Sequence, residues 1–233
     1  MKALKLSLLA LATSVSSLAQ ADFIGLTGDV SYWFYDGNVD SPAPYAFDQA
    51  LKRDGAAQLS LAFEHPIPFV PNAKIKHVNL KADSKDQSIL ASRSSVDVSH
   101  TDFILYYELL DNVISADVGL GLARLDGDIK MSNPAYYKNL SISGNNPIVY
   151  ASVGAKLPFT GLSAKGEAVY SNYDDLTLTD LQAELQYNFV QNVAVDVGAK
   201  LGYRYTEIKL DKNNDQKVNF DFKGPYLGLN VHF

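Results

Sequence analysis

Over most of this chain every second residue is apolar, the period of a β-strand with one greasy face. The pattern opens at Phe23 to Tyr35, where Ile24, Leu26, Val30, Tyr32 and Phe34 alternate with Gly25, Thr27, Asp29, Ser31 and Trp33. It returns over Gln58 to Glu64, and in weaker form over Ala73 to Asp83, where Val78, Leu80 and Ala82 stand against His77, Asn79 and Lys81. Six more runs follow: Val96 to Leu110, Val113 to Leu125, Pro147 to Leu157, Leu162 to Tyr173, Leu178 to Val190 and Val193 to Leu210. Gly224 to Phe233 is the tenth, with Leu227, Leu229, Val231 and Phe233 on one face. Two places break the parity. Val96 and Val98 oppose Phe103 to Leu109, which predicts a bulge or a loop-side change of register near Ser99 to Thr101; Phe220 and Phe222 oppose Leu227 to Phe233, which predicts a kink or bulge at Gly224-Pro225.

The connections carry a second regularity. Long polar segments (Asp36 to Asp54, Ser84 to Ser95, Asp126 to Asn146, and the tip around Asp211 to Lys217) alternate with short ones (His65 to Asn72, Asp111-Asn112, Pro158 to Gly161, Gln191-Asn192). Asp174-Asp175 is a shorter member of the long set. A final strand ending on a bare aromatic needs its edge paired, and closing a barrel pairs it. Alternating loop lengths and an even strand count then predict an all-β fold, a transmembrane antiparallel up-and-down β-barrel of about ten strands, with both termini on the periplasmic side. Tyr32, Phe34, Tyr107, Tyr187, Phe189, Tyr203, Tyr205 and Phe233 fall near strand ends on the apolar face, where interfacial girdles belong. A soluble barrel would place its apolar residues inside.

The N-terminus supports the same compartment. Lys2 and Lys5 precede a mostly apolar run from Leu6 to Val15, and Ala19-Gln20-Ala21 offers small residues for a signal peptidase, so residues 1–21 read as a signal peptide and 22–233 as one outer-membrane barrel domain. Those 21 residues hold two lysines and no acid, so their removal moves the net charge from −6 to −8 and makes nucleic acid an unfavourable partner. With no cysteine in the chain, disulfides and thiol catalysis are excluded. The location expected is the bacterial outer membrane, and the partners are its lipid and lipopolysaccharide and the barrel assembly machinery.

HTDFILYYELLDN (His100 to Asn112), ADVGLGLARLDGD (Ala116 to Asp128) and the opening FIGLTGDVSYWFY resemble a family of small outer-membrane β-barrel proteins of Gram-negative bacteria. The resemblance spans essentially the whole chain, implies location and fold, and brings no catalytic motif. In architecture alone the chain is similar to small barrels of the OmpA and OmpW type. Its C-terminal residues Tyr226, Gly228, Val231 and Phe233 resemble the assembly signal of such barrels.

The inward face is rich in charge: Asp29, Glu64, His77, Lys81, Asp102, Glu108, Asp117, Lys156, Lys165, Glu167, Glu184, Asp196, Lys200 and Arg204. Because buried charges need partners and both signs are present, these predict a salt-bridged, occluded lumen with a structural, envelope or surface-interaction role. The alternative is a narrow channel for small hydrophilic or amphipathic solutes, which would need one sign along a continuous path. A third reading, an outer-membrane enzyme, lacks a His-centred site: His65, His77, His100 and His232 are scattered, and only His100 has near neighbours, in Asp97, Ser99 and Asp102. No cofactor or metal is expected. Asp211, Asn213 and Asp215 match half of a calcium loop, but Gln216 stands where Gly belongs and Phe222 where the bidentate Glu belongs.

Overall fold

A computed structural model describes residues 24–41, 47–85, 93–133, 136–192, 194–212 and 216–233. The expected signal peptide and the tip at 213–215 lie outside the described residues. The strands are β1 (Gly25–Ser41), β2 (Phe47–Ala50), β3 (Asp54–Glu64), β4 (Asn72–Asp83), β5 (Arg93–Asp111), β6 (Ile114–Asn133), β7 (Tyr136–Lys156), β8 (Leu162–Tyr173), β9 (Leu176–Gln191), β10 (Asp196–Lys212) and β11 (Gln216–His232). Each pairs antiparallel with its sequence neighbour from β3 to β11, and β1 pairs both β3 and β11, so ten strands close into a barrel. Short β2 is the additional strand, continuing the line of β3 along β1. At the closure Leu26 and Phe233 exchange backbone hydrogen bonds of 3.1 and 3.0 Å.

One end of the barrel holds both described termini and the short turns, and is called here the turn end. Two of its turns place a phenylalanine after proline at φ 65°, Phe69 and Phe159, a backbone state that bulky side chains rarely adopt. Both rings are exposed. The opposite, loop end is mostly strand, because β1, β6, β7 and β11 run well past the expected boundaries. The segment Asp126 to Asn146, expected to be a polar loop, is largely β6 and β7: its Ile129, Met131 and Ile142 point inward at period two while the residues between them face out.

This extension rests on an exchange of polarity part-way along each strand. Toward the turn end the outer face is apolar, as in Val118, Leu120 and Leu122 on β6 and in Leu227, Leu229 and Val231 on β11. Toward the loop end the outer residues of β6 become Arg124, Asp126 and Asp128, and those of β11 become Lys223, Asp221 and Asn219. The inner face changes the opposite way. On β5 it runs from Tyr106, Asp102 and His100 to Val98 and Val96; on β11 it runs from Asn230 and Tyr226 to Phe222 and Phe220. Trp33, Tyr35, Val39, Leu80, Val98, Leu125, Leu178, Ile208, Phe220 and Phe222 fill the loop-end interior with no exposed surface. Phe222 packs edge-on against Tyr35, centroids 5.3 Å apart, and its ring occupies the space a side chain at Gly37 would take.

The exchange removes the need for both expected irregularities. β5 pairs β4 and β6 without interruption through Ser99 to Thr101, and its one register shift lies between Glu108 and Leu110. The β10–β11 register is unbroken through Gly224 and Pro225, and on the β1 side the ladder skips Phe34, Tyr35, Gly224 and Pro225 and resumes without a change of register. Val96, Val98, Phe220 and Phe222 keep the parity of their strands and enter an apolar interior.

A buried aromatic in a packed core and an apolar side chain against lipid respond differently to truncation, because lipid fills the space that a core leaves empty. Phe222→Ala should cost about 3–5 kcal/mol in urea unfolding from lipid vesicles, and Leu120→Ala on the outer face less than half as much. The reverse order would show that the loop-end interior is not a core.

The barrel interior as candidate functional site

Below the apolar core lies a layer of ion pairs that crosses the lumen. Lys74 and Lys76 on β4 both reach Glu167 on β8. Lys76 is also 3.8 Å from Asp180 on β9, which Arg204 on β10 grips with two nitrogens, Nε to Oδ1 at 2.9 Å and Nη2 to Oδ2 at 2.7 Å. The third guanidinium nitrogen, Nη1, donates to Oε1 of Gln58 on β3, and the guanidinium carbon lies 4.8 Å from the centre of the Trp33 ring, at the base of the apolar core. Lys200 pairs with Asp29 at 2.7 Å and Glu184 at 3.4 Å, and Asn230 donates to Asp29. Tyr226 and Tyr150 donate their hydroxyls to Glu184 and Glu167, at 2.7 and 3.1 Å.

Strand alternation builds this layer. Asp29, Gln58, Lys74, Lys76, Glu167, Asp180, Glu184, Lys200 and Arg204 all occupy inward positions at similar heights on neighbouring or facing strands. Asp180 and Arg204 are 1 % and 2 % exposed. Charges so far from water are tolerable only with near-complete pairing.

On the turn-end side the layer floors a polar vestibule of about 240 Å³. Glu64, Glu108, Asp117, Lys156, Lys165 and Asp196 line it. Glu64 accepts from the Tyr106 hydroxyl at 2.7 Å and Asp117 from Ser152. Within the layer a cavity of about 30 Å³ touches Gln58, Ser60, His100 and Gln182, whose Nε2, Oγ, Nδ1 and Nε2 atoms have no protein partner. That volume suits about one water, and not a substrate.

The structure thus gathers Asp29, Glu167, Glu184, Lys200 and Arg204 in one network, puts Asp102 beside it against His100 at 2.7 Å, and sets Glu64, Glu108, Asp117, Lys156, Lys165 and Asp196 around the vestibule. His77 and Lys81 are corrections. Both lie on the outer face, His77 with Thr101 at 2.8 Å and Lys81 with Asp97 at 3.0 Å, because on β4 it is Val78, Leu80 and Ala82 that point into the apolar interior. The same inversion hid Lys74 and Lys76, which share the parity of those apolar residues; Asp180, the buried partner of Arg204, is a further member that the alternation alone does not single out. Of the neighbours of His100, Asp97 and Ser99 face outward, leaving the single buried pair with Asp102. Ligand atoms of His100, Asp102 and Asp180 lie within 4.8 Å of one another, but Arg204 and Lys76 already hold Asp180. At the C-terminus Tyr226 and Gly228 occupy inward positions, Val231 and Phe233 the outer face. Outside the belt, at the loop end, a hydrogen bond from exposed Arg53 holds the Asp36 carboxyl below its ordinary range.

A closed ten-strand antiparallel barrel, apolar outside near its short turns and polar within, is an architecture that spans bilayers. The chain has the fold of an outer-membrane β-barrel. No protein-family model and no curated protein sequence matches it. Among solved structures it is similar to the outer membrane protease OmpT from Escherichia coli, with a TM-score of 0.53 and 10 % identity over 92 % of this chain and 97 % of that one. The translocator domain of the autotransporter NalP from Neisseria meningitidis aligns at a TM-score of 0.44 and 10 % identity, covering 98 % of this chain and 96 % of that one. Neisserial surface protein A aligns at 0.34 and 11 %, covering 91 % and 97 %.

Removing one partner of a buried ion pair strands the other. Asp180→Ala should destabilise the barrel by about 3–5 kcal/mol, whereas Asp180→Leu combined with Arg204→Met should recover most of that loss. Equilibrium unfolding in lipid vesicles measures both, and a double variant as unstable as the sum of its parts would show that the two residues are not coupled.

Proposed function

We propose that this protein is an integral barrel of the bacterial outer membrane, exported with a cleaved signal peptide, whose sealed interior suits a structural and surface-presenting role. Its immediate surroundings are outer-membrane lipid and lipopolysaccharide, and the barrel assembly machinery inserts it. The outer belt supports this placement. From Leu162 to Tyr170 on β8 and from Leu181 to Phe189 on β9 the outward side chains are apolar or aromatic apart from Gly166, a span of the length that crosses a bilayer at the usual tilt. Tyr32, Phe34, Tyr170 and Tyr203 mark its loop-end border and Phe63, Tyr107, Tyr187, Phe189 and Phe233 its turn-end border, the two levels at which aromatic girdles sit.

The observation that carries the reading is the sequence of layers inside. A solute entering the vestibule meets the Lys74–Glu167–Lys76 and Arg204–Asp180 bridges, and beyond them a packed core centred on Trp33, Tyr35, Phe220 and Phe222. A channel needs a wet path through both layers. Catalysis at the His100–Asp102 pair needs access that a side chain 1 % exposed does not have. Refolded protein in a planar bilayer should therefore give no discrete conductance steps in concentrated KCl. Steps with a reproducible ion preference, from protein migrating as the folded form, would overturn the occluded reading in favour of the narrow channel.

A further inference from the structure

Backbone pairing fails on one side of β7. The β7–β8 ladder ends at Val149 and Tyr170, and continuing that register would set Pro147 against Asn172. Proline has no N–H to give a ladder, so the pairing stops there. On its other side β7 stays paired with β6 as far as Tyr136 and Asn133. Among the described residues no strand pairs with the β8-side edge of β7 beyond Val149.

The orientation of the free groups follows from the ladder. Lys156 donates its N–H to Val113 on the β6 side, and Leu157 donates to Leu162 on the β8 side. With an uninterrupted β6–β7 register, even-numbered residues of β7 bond β6, and odd-numbered residues turn both N–H and C=O to the other side. Tyr137, Asn139, Ser141, Ser143 and Asn145 thus present an unpaired row about 26 Å long, at about 3.3 Å per residue. None of the five is proline or carries a charge, the usual protections of an edge. Their side chains are exposed, while Ile142 within the row and Ile148 beyond it are buried inward and Leu140 packs on the core.

Another opening in the barrel wall is closed by the chain itself. Above Val78, where β3 and β4 separate, the Tyr35 hydroxyl donates to the Lys81 carbonyl at 2.9 Å and accepts from the Lys81 N–H at 3.0 Å. Lys52 N–H bonds the Asp83 carbonyl and Lys85 N–H the Ala50 carbonyl, at 2.7 and 3.0 Å.

We propose that the β7 edge from Tyr137 to Asn145 is a docking site for an extended polypeptide from outside the cell, which adds to the sheet as an antiparallel strand. The proposal rests on the outer-membrane reading, which puts the loop end at the cell surface. A row of alternating backbone donors and acceptors recognises another backbone, and the flanking side chains set the pattern. The incoming strand alternates, with apolar residues on the side of Leu140, Ile142 and Ile148 and polar residues on the side of Asn139, Ser141 and Ser143.

The test uses the full chain in lipid nanodiscs and a fluorescein-labelled peptide of alternating Ile and Thr with terminal lysines, beside a control peptide with proline at every second position. The first peptide should bind and slow hydrogen exchange at Asn139, Ser141, Ser143 and Asn145, and the control should do neither. Ser143→Pro removes one edge donor and should weaken binding about tenfold, while Ser143→Ala, which keeps the N–H, should change it less than about twofold. No binding, or binding without protection of those four amides, overturns the proposal, as does equal affinity of a folded Ser143→Pro variant. If that variant does not fold, exchange in the unaltered protein decides. Binding to nanodiscs but not to intact cells would retain the edge as a peptide site and contradict the surface placement.

Discussion

A β-strand has two faces, and in a closed barrel one of them looks inward for the strand's whole length unless a bulge turns it. This barrel carries its longest strands through a change of surroundings without turning them. Near the short turns the outside suits lipid and the inside is polar and charged. Toward the loop end the outside is polar and the inside is a packed apolar core. Because the pleat stays in register, the sequence itself must exchange polarity between odd and even positions at one height around the wall. On β5 that height falls between His100 and Val98, on β11 between Tyr226 and Phe222, and on β4 between Lys76 and Val78.

The two interiors support one another. The ionic layer needs full pairing because its members lie far from bulk water, and the two bridges to Glu167 with the Arg204 grip on Asp180 tie β4 across the lumen to β8, β9 and β10. Trp33 joins this layer to the core, its ring against the Arg204 guanidinium and its Nε1 donating to the Gly224 carbonyl at 3.0 Å. The core above then keeps water out and fixes the spacing of the extended strands. A wall so held can project past the membrane border, and along the β7 edge of that projection no strand pairs among the described residues.

Much of this was legible in the alternation. Ten strands, their closure, the aromatic borders and the inward placement of Asp29, Glu167, Glu184, Lys200 and Arg204 follow from period two and from loops that alternate long and short. What was missed has a single physical cause. A strand assumed to be apolar outside everywhere turns Val96, Val98, Phe220 and Phe222 into apparent register faults, sends His77 and Lys81 inward and conceals Lys74 and Lys76. It also makes Asp126 to Asn146 look like a loop, since outward polar residues in a soluble-type wall resemble loop composition. The signal was present, in that Ile129, Met131 and Ile142 keep their period within that polar stretch. Pairing partners across the lumen, such as Lys76 with Glu167, depend on barrel geometry that alternation does not encode.

The chain has no cysteine, so single cysteines can be introduced along β5 and spin-labelled without a background. The collision accessibility of these labels to oxygen and to a water-soluble nickel chelate, measured in lipid bilayers, tests the exchange of polarity most directly. Labels at Leu105 and Tyr107 should meet oxygen, labels at Asp97 and Ser99 should meet nickel, and labels at Val96 and Val98 should be immobile and meet neither. Oxygen contact at Val96 and Val98, with no nickel contact at Asp97, would place those valines in lipid and contradict the inverted interior.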